Sequence, residues 1–295
     1  MSKPHRAGLV AIVGRPNVGK STLLNAMVGS KISIVSRRPQ TTRHRILGIL
    51  TESDAQIAFV DTPGFQTAHG GALNRMMNRS VTGSLTEVNV VLMLVEAGKL
   101  NDQDRHVIKL LPADIPVLLG LNKVDQIKDR KQLLPFIDKV RALYDFSQII
   151  PLSALRSASL PPLVKAIKEL LPECAPLYEE DAITDRSERF LASEMIREKL
   201  FHALGDELPY SATVVIDKFE EEGAMRRIHA SIIVDKDSQK AIFIGAKGER
   251  LKSIATRARL DMEKLFGGKV YLEVWVKVKR GWADDARSLR ALGYE

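Results

Sequence analysis

The sequence predicts an α/β domain built on a mostly parallel sheet with helices on both faces, followed by a smaller α+β domain. Three observations carry that prediction. Strand-length apolar runs alternate with helical patterns through the first 153 residues, the signature of strands buried on both faces. Both periodicities then stop at Pro172, Pro176 and the acidic stretch YEEDAIT at 178–184. Beyond Asp185 they resume in a different order, helix-strand-strand-helix-helix-strand.

In chain order, the strand candidates are GLVAIV (8–13), RILGILT (45–51), QIAFVD (56–61), NVVLMLVE (89–96), PVLLGLN (116–122) and SQIIPLS (147–153). The second is an extra strand beside the regular alternation. In the later part, SERFLASEMIREKLFHAL (187–204) spaces Phe190, Leu191, Ile196, Leu200, Phe201 and Leu204 along one helical face. YSATVVIDKF and RRIHASIIVDK read as strands joined across EEEGAM. SQKAIFIG and ERLKSIATRARLDMEKLFG read as adjacent helices. The last strand, KVYLEVWVKVK (269–279), sets Val270, Leu272, Val274, Val276 and Val278 on one face and Tyr271, Glu273, Trp275 and Lys277 on the other. Domain limits follow at 1–172, a linker at 173–184, 185–283, and a tail at 284–295.

At 295 residues and 45% hydrophobic, the chain has enough apolar material for two cores, which argues against disorder. Its single cysteine, Cys174, has no internal partner, so a reducing cytoplasm is expected and the thiol is read as inert. No apolar h-region follows MSKPHR, and runs such as VVLMLV (90–95) are far shorter than a membrane span, so neither secretion nor spanning is expected. The net charge of +8 is local: residues 240–280 hold 11 basic against 4 acidic side chains, and 31–45 hold 5 basic and none acidic. Such clusters suit a polyanion as well as a solvated face.

GRPNVGKS (14–21) stands between the first strand and a helix and matches G-x-x-x-x-G-K-[ST] completely. Gly14 and Gly19 let backbone N–H groups converge on phosphates, Lys20 reaches the terminal ones, and the Ser21 hydroxyl can ligate Mg2+. DTPG (61–64) ends a buried strand, placing Asp61 for the metal shell and the Gly64 amide for a γ-phosphate. NKVD (122–125) ends another. There the Asp125 carboxylate can accept from guanine N1 and N2, a pairing adenine cannot reproduce, and a site expecting such donors rejects their absence by ~10⁴ or more. LSA (152–154) follows one strand later, where the Ala154 amide can meet guanine O6. The nucleotide set is Gly14, Arg15, Pro16, Asn17, Val18, Gly19, Lys20, Ser21, Thr22, Asp61, Thr62, Pro63, Gly64, Phe65, Asn122, Lys123, Val124, Asp125, Ser153 and Ala154.

On GRPNVGKSTLLN, QTTRHRI, DTPG, NKVD, ITDRSERF and WVKVKRGWADD, the sequence resembles the Ras-like GTPases and, within them, the bacterial Era family along essentially its whole length. The resemblance implies that 30–45 and 64–84 are the two switch segments and that Thr42 joins Ser21 and Asp61 on Mg2+ in the GTP state. Lys20, Thr42, Gly64 and Asn17 form the catalytic set. Phe65 stands where many relatives place a water-orienting glutamine, so hydrolysis to GDP and phosphate is expected to be slow. Asn17 reads two ways, as a turn residue and as a group that helps hold K+ against the phosphates. His44 and Gln66 are weaker candidates.

Gly-x-x-Gly at GAKG (245–248), between the adjacent helices, resembles a type II KH domain. No buried strand precedes this loop and no Lys-Ser pair follows it, so it is not a second nucleotide site. In KH modules the turn clamps single-stranded backbone while bases lie in an apolar groove. The RNA set is Ile242, Ile244, Gly245, Ala246, Lys247, Gly248, Arg250, Lys252, Lys277, Lys279 and Arg280, with Arg257 and Arg259 extending the positive surface. Trp275 and Trp282 are read as packing residues. The resemblance further implies the 3′ end of 16S rRNA and the small ribosomal subunit as partners, loose association with the inner membrane, and a monomer. In the tail, Asp284 and Asp285 would repel phosphate. Two other classes remain open: a phosphotransferase, against which the guanine motif stands, and a membrane- or protein-docking GTPase whose second domain binds no nucleic acid.

Overall fold

The computed structural model describes residues 5–36, 41–63, 83, 85, 87–204, 212–283, 285 and 289. The described residues of Met1–Ser33, Thr42–His69 and Met77–Asp185 form one compact unit; those of Ile34–Thr41 and Arg186–Glu295 form another.

In the first unit the apolar runs become β1 (Arg6–Val13), β2 (Ile46–Glu52), β3 (Ala55–Asp61), β4 (Val90–Glu96), β5 (Val117–Asn122) and β6 (Gln148–Pro151). They make one sheet in the order β2-β3-β1-β4-β5-β6, parallel except for β2, which is antiparallel to β3. β3 and β4 are buried at every position, as expected of central strands covered on both sides. The helices are α1 (Lys20–Val28), α2 (Asp102–Ile108), α3 (Leu133–Arg141) and α4 (Pro161–Leu170). Val13, Val91, Met93, Val95, Leu119 and Leu121 pack with Val107 and Ile108 of α2 and Val140 of α3. On β2, Gly48 lets α1 approach: a Cβ there would stand 2.5 Å from Leu24 Cδ1 and 2.8 Å from Val28 Cγ2.

Residues 173–184, expected to be a linker, lie against this sheet. Tyr178 and Ala182 pack on Leu47, Ile49, Ala58 and Val60. Gln56 Oε1 accepts from the N–H groups of Leu177 and Tyr178 at 2.7 and 2.8 Å, and Gln56 Nε2 donates to Tyr178 O at 3.0 Å. The Ile49 N–H donates to Ile183 O at 3.0 Å, and Thr184 Oγ1 donates to Leu47 O at 2.6 Å. The polar composition hides this because the backbone, not apolar side chains, supplies most of the attachment.

The second unit holds α5 (Glu188–Ala203), β7 (Ala212–Glu222), β8 (Met225–Val234), α6 (Asp237–Ile244), α7 (Glu249–Phe266) and β9 (Lys269–Val278). The sheet order is β7-β8-β9, with β8 antiparallel to β7 and parallel to β9. Residues of all three helices pack on one face of it, including Met195, Ile196, Phe243, Ile254 and Met262. The hairpin is tighter than expected: β7 runs through Glu222, leaving only Gly223, at φ 59°, and Ala224 before β8. Cross-strand pairing of Glu222 with Arg227 at 3.1 Å lets the acidic run continue as strand. α5 is buried nearly all round rather than on one face, with Glu194, Arg197, Glu198 and Lys199 all enclosed. Arg197 Nε donates to Glu194 Oε1 at 2.7 Å, and Lys199 Nζ to Glu198 Oε2 at 2.7 Å and to Asp261. In the same unit the Val35 N–H donates to Glu198 Oε1 at 3.0 Å, and Val35 O lies 3.0 Å from His202 Nε2.

Candidate functional site

Loops at the carboxyl ends of β1, β3, β5 and β6 meet at one edge of the first sheet, where ligands of such folds gather. Residues 14–19 curl because Gly14 takes φ 149° and Gly19 φ 105°, with Asn17 also left-handed at 65°. A Cβ on Gly19 would stand 2.3 Å from Asn122 Nδ2, so glycine is required twice over. Lys20 opens α1, with its Nζ turned back to donate to Gly14 O at 2.9 Å and Arg15 O at 3.1 Å. Burial lowers its pKa to about 8, with Asp61 opposing and Arg15 adding to the effect.

Asp61, fully buried, ends β3. Its Oδ2 accepts from Ser21 Oγ at 2.7 Å, Ser33 Oγ at 3.0 Å and Thr42 Oγ1 at 3.4 Å; Ser21 Oγ and Thr42 Oγ1 are 2.8 Å apart. Burial raises the Asp61 pKa against the pull of Lys20 and these three hydroxyls. Its Oδ1 is buried with no hydrogen-bond partner among the described residues. One carboxylate with an orphaned oxygen, beside two hydroxyls of Ser21 and Thr42, is an all-oxygen set suited to Mg2+, which takes few protein ligands and completes its shell with water and phosphate. Among the described residues no cluster of three His, Cys, Asp or Glu side chains offers a competing metal site.

Asn122 fastens the phosphate loop to the base loops. Its Nδ2 donates to Val18 O at 2.7 Å; its Oδ1 accepts from the N–H of Lys123 at 2.8 Å and of Ala154 at 2.9 Å. The Ala154 amide, expected to face guanine O6, is therefore engaged by Asn122 instead. Ser153 is buried and its N–H goes to Ser159 Oγ at 3.0 Å. Asp125, in the 3-10 turn after Lys123, has no hydrogen-bond or ion-pair partner among the described residues. Thr62 Oγ1 donates to Ile12 O at 2.9 Å, a tie between strand ends. Gly64, Phe65, Gln66 and nearly all of 64–84 lie outside the described residues.

Sequence reasoning missed four residues. Asn25, inside α1, accepts from the N–H of Ile32 and Ser33 at 3.0 and 2.9 Å, and so delivers Ser33 to Asp61. An asparagine within a helix is the only hint it offered. Glu96 and Asp104 hold the Arg15 side chain, whose Nη1 also donates to Pro16 O at 3.3 Å.

In the second unit, Gly245 (φ 74°, ψ 178°), Lys247 (φ 49°) and Gly248 (φ 80°) form the turn between α6 and α7. A Cβ on Gly245 would stand 2.7 Å from Arg250 Cβ; one on Gly248 would meet nothing within 4 Å. Ala246, Lys247, Arg250 and Lys252 are exposed, and Arg250 Nη1 donates to Ile242 O. Ile242 is 40% exposed beside the turn, whereas Ile244 packs into the core. Lys277 falls on the sheet face opposite the helices, paired with Asp217 at 3.3 Å, so it is not gathered with the turn. Arg280 pairs with Asp237, at the start of α6, at 3.5 Å. Trp282 is fully buried, as expected of a packing residue. Trp275 is not: it is 41% exposed and stacks on His229 with ring centroids 5.6 Å apart.

No helix among the described residues is long and apolar enough to cross a membrane. Residues 9–123 match the family described as 50S ribosome-binding GTPase, and residues 207–283 match the KH domain. GTPase Era of Nitrosomonas eutropha is 55% identical, over 99% of this chain and 98% of its own. GTPase Era of Chromobacterium violaceum is 56% identical, over 99% of each. Among solved structures, an Aquifex aeolicus Era variant bound to GDP and AlF4− superposes with a TM-score of 0.94 at 41% identity, covering 98% of this chain and 99% of that one. Era in complex with MgGDPNP and nucleotides 1506–1542 of 16S ribosomal RNA matches equally, with the same score, identity and coverage. With more than half its residues identical to the Nitrosomonas and Chromobacterium sequences from end to end, and a GTPase domain followed by a KH domain, the chain belongs to the Era family of GTPases.

Proposed function

We propose that the chain is a GTP-driven switch that hydrolyses GTP slowly, binds the 3′ end of 16S rRNA through its KH domain and assists assembly of the small ribosomal subunit. The convergence of Ser21, Thr42 and Asp61 oxygens beside Lys20 carries the reading. Thr42 belongs to the segment expected to respond to the γ-phosphate, and Val35 in that segment is hydrogen-bonded to Glu198 and His202. In this reading 1–172 serves the nucleotide and 185–283 the RNA. Ser21, Thr42 and Asp61 hold Mg2+, which when bound offsets phosphate charge; Lys20 and the amides of 14–21 bind the phosphates; Asp125 selects guanine. Gly245–Gly248 grip the RNA backbone, with Lys247, Arg250 and Lys252 supplying charge and Ile242 an apolar contact.

The RNA complex of a relative at 41% identity supports the RNA assignment. Linkage requires RNA affinity to change when GDP is exchanged for a non-hydrolysable GTP analogue, and equal affinities would remove the switch. Asp125→Asn should shift preference toward xanthosine triphosphate, because the amide donates where the carboxylate only accepts; unchanged GTP selectivity would contradict the base assignment. Two finer parts rest on resemblance alone. Potassium beside Asn17 predicts faster turnover in KCl than in matched NaCl. Loose inner-membrane attachment of the monomer predicts co-flotation with anionic vesicles.

A further inference from the structure

Five charged side chains form one cluster at the carboxyl end of β4. Glu96 is the last residue of β4 and the register partner of Asn122 on β5, so its carboxylate stands beside the base-recognition loop. Glu96 Oε2 accepts from Lys123 Nζ at 2.9 Å and Arg15 Nη2 at 3.3 Å, while Oε1 accepts from Lys99 Nζ. Arg15 Nε donates to Asp104 Oδ2 at 3.2 Å, and Nη1 to Pro16 O at 3.3 Å. Asp104 is fully buried and fixed in the N-terminal capping box of α2.

Two of these cations belong to the nucleotide motifs. Arg15 is the second residue of the phosphate loop, and its carbonyl accepts from Lys20 Nζ. Lys123 is the second residue of NKVD and sits at φ 65°, a left-handed conformation that a lysine holds only when its surroundings fix it. Among the described residues, Arg15 and Lys123 have no hydrogen bond or ion pair with each other, and what they share is Glu96. The carboxylate and both cations are largely shielded from water, where charge-assisted hydrogen bonds are strong and directional.

We propose that Glu96 is a positioning residue for the nucleotide: by holding Arg15 and Lys123 at once, it locks the phosphate loop and the base-recognition loop into one body, with Asp104 bracing the far edge of Arg15. Asn122 ties the same loops through neutral hydrogen bonds, and Glu96 ties them through charge. Nucleotide release requires the two loops to part, so loosening this tie speeds release. This inference rests on the guanine-nucleotide reading of the cleft.

The test is a double-mutant cycle on release of fluorescent GDP at fixed Mg2+, using full-length protein. Glu96→Gln and Lys123→Met should each speed release about tenfold, the usual effect of removing one charge-assisted hydrogen bond, and the double variant no more than either alone. Nucleotide-free melting temperatures, measured alongside, separate loosening from unfolding. Should Glu96→Gln fail to fold, Arg15→Met and Lys123→Met make an equivalent pair, coupled only through Glu96 and again non-additive. Multiplying effects, unchanged release from Glu96→Gln, or slower release from removing a negative charge near phosphate would each overturn the proposal. Wild-type protein that takes up no GDP would instead remove the nucleotide reading, and this inference with it.

Discussion

Ser33 Oγ donates to Asp61 Oδ2 at 3.0 Å, onto the same carboxylate oxygen that Ser21 and Thr42 address. A buried carboxylate needs such donors when no cation balances it. Magnesium drawing on Asp61 competes with them. Ser33→Ala should therefore destabilise the nucleotide-free protein by about 1 kcal/mol and raise the apparent Mg2+ affinity of the GDP complex several-fold. Urea denaturation and EDTA-challenge titrations check the two halves.

Gly19→Ala should abolish GDP binding at micromolar concentrations while leaving the fold intact. The new methyl would collide with the Asn122 amide and force a left-handed backbone on a residue that disfavours it. Calorimetric titration with GDP, alongside circular dichroism, separates the lost site from a lost fold. Gly29, also left-handed but with open space where its Cβ would go, serves as the control position.

The two glycines of the second loop are not equivalent. Gly245→Ala meets Arg250 Cβ and should cost about 1–3 kcal/mol in stability, whereas Gly248→Asn meets nothing and suits the left-handed region, so it should stay within about 1 kcal/mol of wild type. Lys247→Glu should weaken RNA binding and flatten its dependence on salt, as expected for one lost phosphate contact. Thermal melts and filter-binding series at several KCl concentrations check these outcomes.

Acid stability should report on Glu96. Burial would raise its carboxyl, but hydrogen bonds from Lys99 and Lys123, with their charges, overcome this and hold it at about 2 against an ordinary 4.5. Between those values the folded protein binds fewer protons than the unfolded chain, so stability from this group is present above pH 4.5 and disappears as pH falls toward 2. Glu96→Gln should flatten that part of the stability curve in urea melts at successive pH values.

Much of the fold was legible because strand-length apolar runs and turn residues are local signals, and every strand forms within a few residues of its expected position. GRPNVGKS and NKVD declare themselves because phosphate and guanine recognition impose residue types at fixed spacing. Asn25, Ser33, Glu96 and Asp104 escaped because each matters through partners that only the folded chain brings together, and a lone polar residue looks the same on a solvated surface. The stacked pair Trp275 and His229 escaped for a related reason: strand alternation set Trp275 on its face, but only the packed sheet shows it stacked on His229 and still 41% exposed.

The acidic stretch 177–184 has a protective consequence. β2 is the outermost strand of its sheet, and an outer strand with bare amides recruits strands from other molecules. Here the Ile49 amide and the Leu47 carbonyl are already occupied by Ile183 and Thr184. A fragment stopped at Pro172 would uncover that border along with the apolar patch beneath Tyr178, and such a truncation should clump where the intact chain stays dispersed.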